Sequence, residues 1–535
     1  MENLFTGRYW LRGVCVEVFI KVIRGLCFLF FSVAASAVAE EESWMQGEVD
    51  PEQHPSVRSE VYSANCAVCH GDRLEGTTQG PALFGNDFVH GESVADIVQS
   101  IQQGFPTNNM PAWAPVLSDQ EIKQLAMYVS EIRSDMTYDT FNYDSLFVIP
   151  EDPIVTEEAS IVLETIVSGL DPLPFSIEPL PDGQILLTER KRGISLISSN
   201  GVQSDYIVGT PRAYGSSGMF RSVKQEYGHG WMMDVNIHPE YEDNGWVYIQ
   251  YGDRCEGCNQ ISLKSKSAVS MNRLIRGRLK EGKWIDEEVI WEADKAHYGP
   301  VPDLAGGGRT TFDESGHVYI SVGMQGLDNH KGIQNLSVPW GKIHRIKDDG
   351  GIPEDNPFYY KESALRTVWT YGHRSPQGLE YREETGEIWS TEMGPRGGDE
   401  LNHLEPGKNY GWPLYSKGID YDGTAVEYGK GLGIEFDMED IEQPAMDFTP
   451  SPAVSSFVFY SGDAFPQWKN NLIMGSLKAR TLYRLVLDGD RVVHTEKLIS
   501  NLARFRDIEL DAQGNILLLL EHNSGSKIVR LKPVI

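Results

Sequence analysis

One pattern recurs six times towards the C-terminus: alternating apolar residues, a turn carrying Asp, Asn or Gly, then a short apolar run. It opens at Phe175 (FSIEPLPDGQILLTE), Met233 (MDVNIHPEYEDNGWVYIQYG), Thr310 (TTFDESGHVYISVG), Gly378 (GLEYREETGEIWSTE), Ser455 (SSFVFYSGDAFPQWKNNLIMGSL) and Arg506 (RDIELDAQGNILLLLE). A strand–turn–strand unit repeated every roughly 60 residues cannot bury its apolar face alone, so neighbouring units must stack. Closing six of them into a ring buries each face and leaves only short, protected strand edges, which predicts a six-bladed β-propeller over residues 166–535. A row of β-sandwiches is the alternative, and the likeness and even spacing of the units weigh against it.

The start of the chain reads as an address. Arg8, Arg12, Lys21 and Arg24 precede an apolar or small run from Leu26 to Ala39, which ends in Ala35-Ser36-Ala37 and Ala37-Val38-Ala39. Residues 1–39 are therefore expected to be a secretory signal peptide. A membrane anchor is the other reading, but the apolar run falls short of the ~20 residues that cross a bilayer. Export to the periplasm or beyond, without stable membrane insertion, is the expectation. The 77 acidic residues against 47 Lys plus Arg give a net charge of −30, which opposes a nucleic-acid partner. A hydrophobic fraction of 40% excludes a disordered chain.

Of the 6 cysteines, Cys15 and Cys27 fall within the expected signal, and the other four form two C-x-x-C pairs. Only the first runs into histidine: Cys66-Ala67-Val68-Cys69-His70. Two thiols one helical turn apart can form thioethers to haem while the adjacent imidazole ligates iron. Met110, in NNMPAWAP, fits a second axial ligand, with a core-filling role as the alternative; Pro81, in GPALFG, sits where haem domains of this kind usually place a carbonyl that orients the imidazole, with a bend-making loop proline as the alternative. In SDQEIKQLAMYVSEIR, Ser118 and Glu121 form a capping box, and Ile122, Leu125, Ala126, Val129 and Ile132 share one helical face. By these residues the segment 46–135 resembles class I cytochromes c. The resemblance implies a small all-α domain whose haem c, ligated by His70 and Met110, moves electrons without binding substrate. The fold class expected is thus multidomain, an all-α cytochrome c domain followed by an all-β propeller. Residues 136–165 are acidic and aperiodic and read as the linker. The second pair, Cys255 and Cys258, reads as a local disulfide in an oxidising compartment, with a metal or redox role as the alternative.

Between Gly341 and Pro413 stand GKIHRIKDDGGIPEDNPF, WTYGHRSPQGLEY and EMGPRGGDELNHLEPGKNYGWP, flanked by the earlier LPDGQILLTER and the later SPAVSS, GSLK and RFRD. Over about 170–533 the chain resembles the soluble glucose/sorbosone dehydrogenases, aldose dehydrogenases dependent on pyrroloquinoline quinone (PQQ) and Ca²⁺. A planar quinone with three carboxylates needs fixed cations. The resemblance assigns Arg374, Gln377, Lys478, Arg504 and Arg506 to its pocket. It also implies that the Gly394 and Pro395 carbonyls hold a Ca²⁺ at the quinone and that Asp399, Glu400 and Tyr410 hold a separate structural Ca²⁺.

The chain departs from that family where a catalytic histidine is expected four residues before an arginine, since Ala305-Gly306-Gly307-Gly308-Arg309 stands there. Met324 replaces an acid, and Ser375 replaces an asparagine that follows the pocket arginine. His229, in HGWMMD, offers an imidazole from another blade and is the catalytic base expected here; His297 and Asp303 are weaker candidates. The expected function is an exported quinohaemoprotein that oxidises a sugar or related alcohol. Its electrons would leave through the haem to an external cytochrome, copper protein or respiratory chain. The competing expectation is a propeller that has lost its chemistry and serves as a binding module beside a cytochrome.

Overall fold

The computed structural model describes residues 59–139, 146–220, 225–300, 306–324 and 330–534. The expected signal peptide, Ala305 and Asp303 lie outside them.

Each of the six sequence repeats begins on the innermost strand of a blade. These inner strands are β2 (Pro174–Pro179), β3 (Met232–Ile237), β4 (Gly307–Phe312), β5 (Pro376–Arg382), β6 (Val454–Phe459) and β7 (Arg504–Leu510). They touch in the cycle β2–β3–β4–β5–β6–β7–β2, so the ring is closed. Outward from each inner strand the sheet continues by antiparallel neighbours, four strands deep in the second to fifth blades and three in the first. The last blade is completed from the start of the propeller: β1 (Ser160–Leu170) pairs antiparallel with β8 (Ser526–Pro533), Thr165 opposite Val529. That pairing ties the two ends of the propeller together and removes the open seam a ring of hairpins would leave.

The core is divided as the stacking argument requires, with one apolar cluster in each gap between blades. Leu187, Ile177 and Leu519 fill the gap between the last and first blades, and Val235, Leu186 and Ile275 the next. Corresponding sets are centred on Tyr248 with Ile320, Ile343 with Leu379, Trp389 with Phe457, and Ile473 with Leu518.

Ahead of the propeller the described residues form four α-helices: α1 (Glu60–Asn65), α2 (Ala67–His70), α3 (Val94–Gln103) and α4 (Asp119–Asp139). The capping box forms as read: Ser118 N–H donates to Glu121 at 2.8 Å and Glu121 N–H to the Ser118 hydroxyl at 3.3 Å. All five residues expected on the inner face of α4, from Ile122 to Ile132, are buried with Tyr62, Ile97 and Ile101. The segment expected as a linker contributes more than a tether. α4 runs on to Asp139, and Ile154–Val155 and β1 already belong to the last sheet. Charge hid this, because Glu157, Glu158 and Glu164 break up the alternation that a strand with one face in water otherwise shows.

Candidate active site on the propeller rim

In an antiparallel blade the start of the inner strand lies beside the end of the second strand. The pairs Pro174–Glu189, Pro376–Glu392 and Arg504–Glu521 show this register. Residues just before or within the inner strand, such as Arg374 and Arg504, therefore share one rim with residues just after the second strand, such as Lys478 and Gly394. Strand direction alone brings the expected cofactor set to a single end of the ring.

On that rim the last blade gathers cations around one acid. Arg504 Nε and Arg506 Nε donate to the two oxygens of Glu521 at 2.6 and 2.7 Å. Burial alone would push the Glu521 carboxyl up, but Arg506, Arg504 and Arg190 together hold it down to about 2. Arg190 is buried, its guanidinium 5.3 Å from the Phe175 ring and 5.5 Å from Trp231, and its Nε has no hydrogen-bond partner. Burial and the neighbouring Arg506 drive its pKa well below the ordinary arginine value. Three guanidinium groups thus cluster around the Glu521 carboxylate, a setting that suits an anionic ligand.

Arg374 completes the set from the fourth blade. Its backbone N–H donates to Glu392, its Nη1 to the Met393 carbonyl at 3.0 Å and its Nη2 to the Tyr421 hydroxyl at 3.1 Å, while its buried Nε stays unpartnered. Gln377 donates to Ser375 Oγ at 3.0 Å, so the serine orients the glutamine that was expected at the cofactor. Arg309 serves another purpose. It is 5% exposed and bonds Asp234 at 3.1 Å, Asp507 at 2.7 Å, the Gln377 carbonyl at 2.9 Å and the Arg506 carbonyl at 3.1 Å. The arginine of the AGGGR element thus pins inner strands β3, β5 and β7 to its own strand β4.

His229 sits on the turn entering β3, 9% exposed, with Nδ1 3.2 Å from Ser217 Oγ and Nε2 without a partner. Met324 packs with Ile333, Trp412 and Val426, an apolar setting that a carboxylate in its place would have to desolvate. His297 lies edge-on to Trp340 at 5.7 Å.

The expected calcium ligands are distributed less favourably. Asp399 accepts from Gly394 N–H at 3.0 Å, Ser451 Oγ at 2.8 Å and Val454 N–H at 3.0 Å, so its carboxylate already closes the loop that carries Pro395. Glu400, the next residue on the strand, faces the other side of the sheet opposite Glu392. Burial and Glu392 push its carboxyl up to about 8. Tyr410 Oη donates to the His403 carbonyl at 2.5 Å. Among the described residues no three His, Cys, Asp or Glu side chains converge as a metal site. These side chains do not fit the separate structural Ca²⁺.

The cytochrome motif fits haem. Cys66 and Cys69 are free thiols flanking one turn, and His70 Nδ1 lies 2.9 Å from the Pro81 carbonyl. A carbonyl only accepts, so Nδ1 carries the proton and Nε2 keeps its lone pair for iron. Met110 is held by reciprocal backbone bonds with Phe105 at 2.8 and 3.2 Å. Cys255 and Cys258 are joined as a disulfide.

The helical domain is seated on the same rim. Lys478 Nζ pairs with Asp135 at 2.5 Å and Glu131 at 3.3 Å, both from α4. Glu131, 1% exposed, also accepts from Ser451 N–H at 2.6 Å, while Arg396 lies 3.9 Å from Asp135. Ile419 is buried inside the helical core, and a Cβ on Gly423 would stand 2.8 Å from Ser59.

Arg190, Glu521 and Glu131 escaped the reading of the sequence. The first two had a signal: an acid closes the second strand in three repeats, as Glu189, Glu392 and Glu521, and Arg190 follows the first of these. Glu131 had none, because on a helix it reads as one more solvent-facing acid.

Two family models match the chain: "Glucose / Sorbosone dehydrogenase" over residues 172–530 and "Cytochrome C oxidase, cbb3-type, subunit III" over 57–129. The aldose sugar dehydrogenase YliI of Escherichia coli is 28% identical, over 73% of this chain and 98% of its own. Quinoprotein glucose dehydrogenase B of Acinetobacter calcoaceticus is 24% identical, over 65% and 82%. A solved glucose dehydrogenase superposes with a TM-score of 0.59 at 30% identity, covering 69% of this chain and 99% of that one. With the fold, the rim and these likenesses in agreement, the chain belongs to the glucose/sorbosone dehydrogenase family, an oxidoreductase propeller that carries a cytochrome c domain ahead of it.

Proposed function

We propose that the protein is a PQQ-dependent dehydrogenase of aldoses or related alcohols that passes its electrons through haem c to an external acceptor. The observation that carries this reading is the cluster of guanidinium groups around Glu521, with buried, unpartnered Nε atoms on Arg190 and Arg374. Arg374, Gln377, Lys478, Arg504 and Arg506 would hold the cofactor, its carboxylates meeting the cations gathered on this rim. When bound, PQQ supplies a two-electron acceptor that regenerates by losing electrons singly. The haem would be attached through Cys66 and Cys69 and ligated by His70 and Met110. Gly394 and Pro395 remain the proposed carbonyl ligands of a cofactor-side Ca²⁺, and no step here depends on it.

The base for the substrate hydroxyl is assigned to His229, whose Nε2 is buried, unpartnered and therefore free to accept a proton. Ser217 at its Nδ1 fixes the ring. His229→Ala is expected to lower turnover by roughly 10²–10⁴-fold with PQQ affinity unchanged, measured by dye reduction and by equilibrium dialysis. Unchanged turnover would remove His229 from the chemistry. For Arg506→Ala the expectation is reversed: PQQ affinity falls roughly 10–100-fold, since a hydrogen bond to a charged group contributes about 1.5–3 kcal/mol.

Export to the periplasm or outside is proposed on residues 1–39 together with the disulfide. No helix among the described residues is long and apolar enough to cross a membrane.

The deciding experiment is a visible spectrum of the haem-loaded protein with PQQ and Ca²⁺, before and after a panel of aldoses and alcohols. Haem reduction that needs both PQQ and one substrate is the expected result. A haem that dithionite reduces but no substrate does, in a protein that does not retain PQQ, would favour a binding module, the reading to which buried Met324 lends support.

A further inference from the structure

The contact between α4 and Lys478 joins two functions that the family fold keeps apart. Lys478 stands at the end of a second strand on the cofactor rim, yet two of its three N–H donors are directed at Asp135 and Glu131 of the cytochrome helix. Glu131 is fixed from behind by Ser451 N–H, and Ser451 Oγ is tied in turn to Asp399. Asp135 is shared with Arg396, whose guanidinium also lies 5.8 Å from the Tyr128 ring. Apolar packing of Ile419 and the close approach of Gly423 to Ser59 hold the two bodies together around this ion cluster. A buried carboxylate is costly unless paired, and Lys478 is the cation that pairs it.

We propose that Glu131 and Asp135 form an electrostatic latch in which the cytochrome helix and the quinone's carboxylate contest one lysine, so that cofactor binding and cytochrome docking oppose each other. The inference rests on the PQQ reading of the rim. With no quinone, Lys478 neutralises α4 and the helix sits fully home. A carboxylate arriving at Lys478 draws the ammonium away and brings a second negative charge towards Glu131 and Asp135, which loosens the helix while leaving the Ile419 packing as a tether. Glu131 and Asp135 are positioning residues here: they touch neither substrate nor iron. The device gives the cytochrome a seat beside the quinone that yields when the cofactor enters.

The test compares wild type, Glu131→Gln and Asp135→Asn, all as haem-loaded full chains, with PQQ as the probe. Glutamine keeps an acceptor for Ser451 N–H, and Asp135 is partly exposed, so both variants retain the fold. Each is expected to lower the PQQ dissociation constant about tenfold, since one of the two carboxylates that compete with the anion for Lys478 is removed. In Lys478→Ala the same substitutions should change it little. Adding PQQ to wild type should speed amide hydrogen exchange in residues 396–425, which a merely structural helix contact would not show. PQQ bound equally by wild type and both variants overturns the latch alone. PQQ bound by none of them overturns the latch and the quinone reading together.

Discussion

Arg309→Ala is expected to cost about 3–5 kcal/mol of stability, the range for stranding buried charge by removing its partner. The variant leaves Asp234 and Asp507 facing each other across the ring with no cation between them, and it frees the Gln377 and Arg506 carbonyls. Neither carboxylate is free to turn away: Thr310 N–H holds Asp234 at 2.8 Å and Ile177 N–H holds Asp507 at 2.8 Å. The loss should also depend on pH with a definite sign. Burial already raises the Asp234 carboxyl to about 6 even with Arg309 beside it. A carboxyl whose folded pKa exceeds its unfolded value binds its proton more tightly when folded, so stability falls as pH rises through that window. Removing Arg309 widens the window upward, and the variant should lose more at pH 8 than at pH 5. Urea unfolding at the two pH values measures both quantities. A variant within 1 kcal/mol of wild type at pH 8 would mean that the ring does not depend on this pin.

Replacing Cys66 and Cys69 together with alanine should abolish covalent haem, leaving no haem band after acid extraction of the denatured chain. The larger consequence is structural. The apolar cluster of the helical domain draws Ile419 from the propeller, whereas every gap between blades has a cluster of its own. A domain of this size has little core to lose, and the haem is the largest apolar body it would enclose. We therefore expect helical circular dichroism to fall and the propeller to keep its unfolding transition and its PQQ binding. Reduction of an artificial dye should persist while reduction of any protein acceptor is lost. Undiminished helix content without haem would show that the four helices are self-sufficient.

Much of this architecture was legible in the residues. The C-x-x-C-H motif carries its chemistry within five consecutive positions, and the capping box and inner face of α4 lie within one helix, so local spacing was enough. The six inner strands were equally visible, because each alternates before a turn that leads into the short apolar run of the buried second strand. The start of the last sheet was not, since β1 owes its pairing to a strand more than 350 residues away and Ile154–Val155 pairs only with β1. The strand-pinning role of Arg309 and the loop-closing bonds of Asp399 were not legible for a related reason: a charged residue near a glycine-rich turn looks alike whether it meets a ligand or pins a strand.

By itself the sequence determined the repeat number, the haem motif and the set of cations at strand ends, because each is written in residues close together along the chain. Only the tertiary structure decided which charges meet. Closing the ring placed Arg190, Arg504 and Arg506 around the single acid Glu521, and seated Glu131 and Asp135 on Lys478 across 347 and 343 positions of sequence. Such pairings depend on the closure of the propeller and the docking of a helix. No periodicity encodes them, because the energy of a buried ion pair resides in its partner and not in its neighbours along the chain.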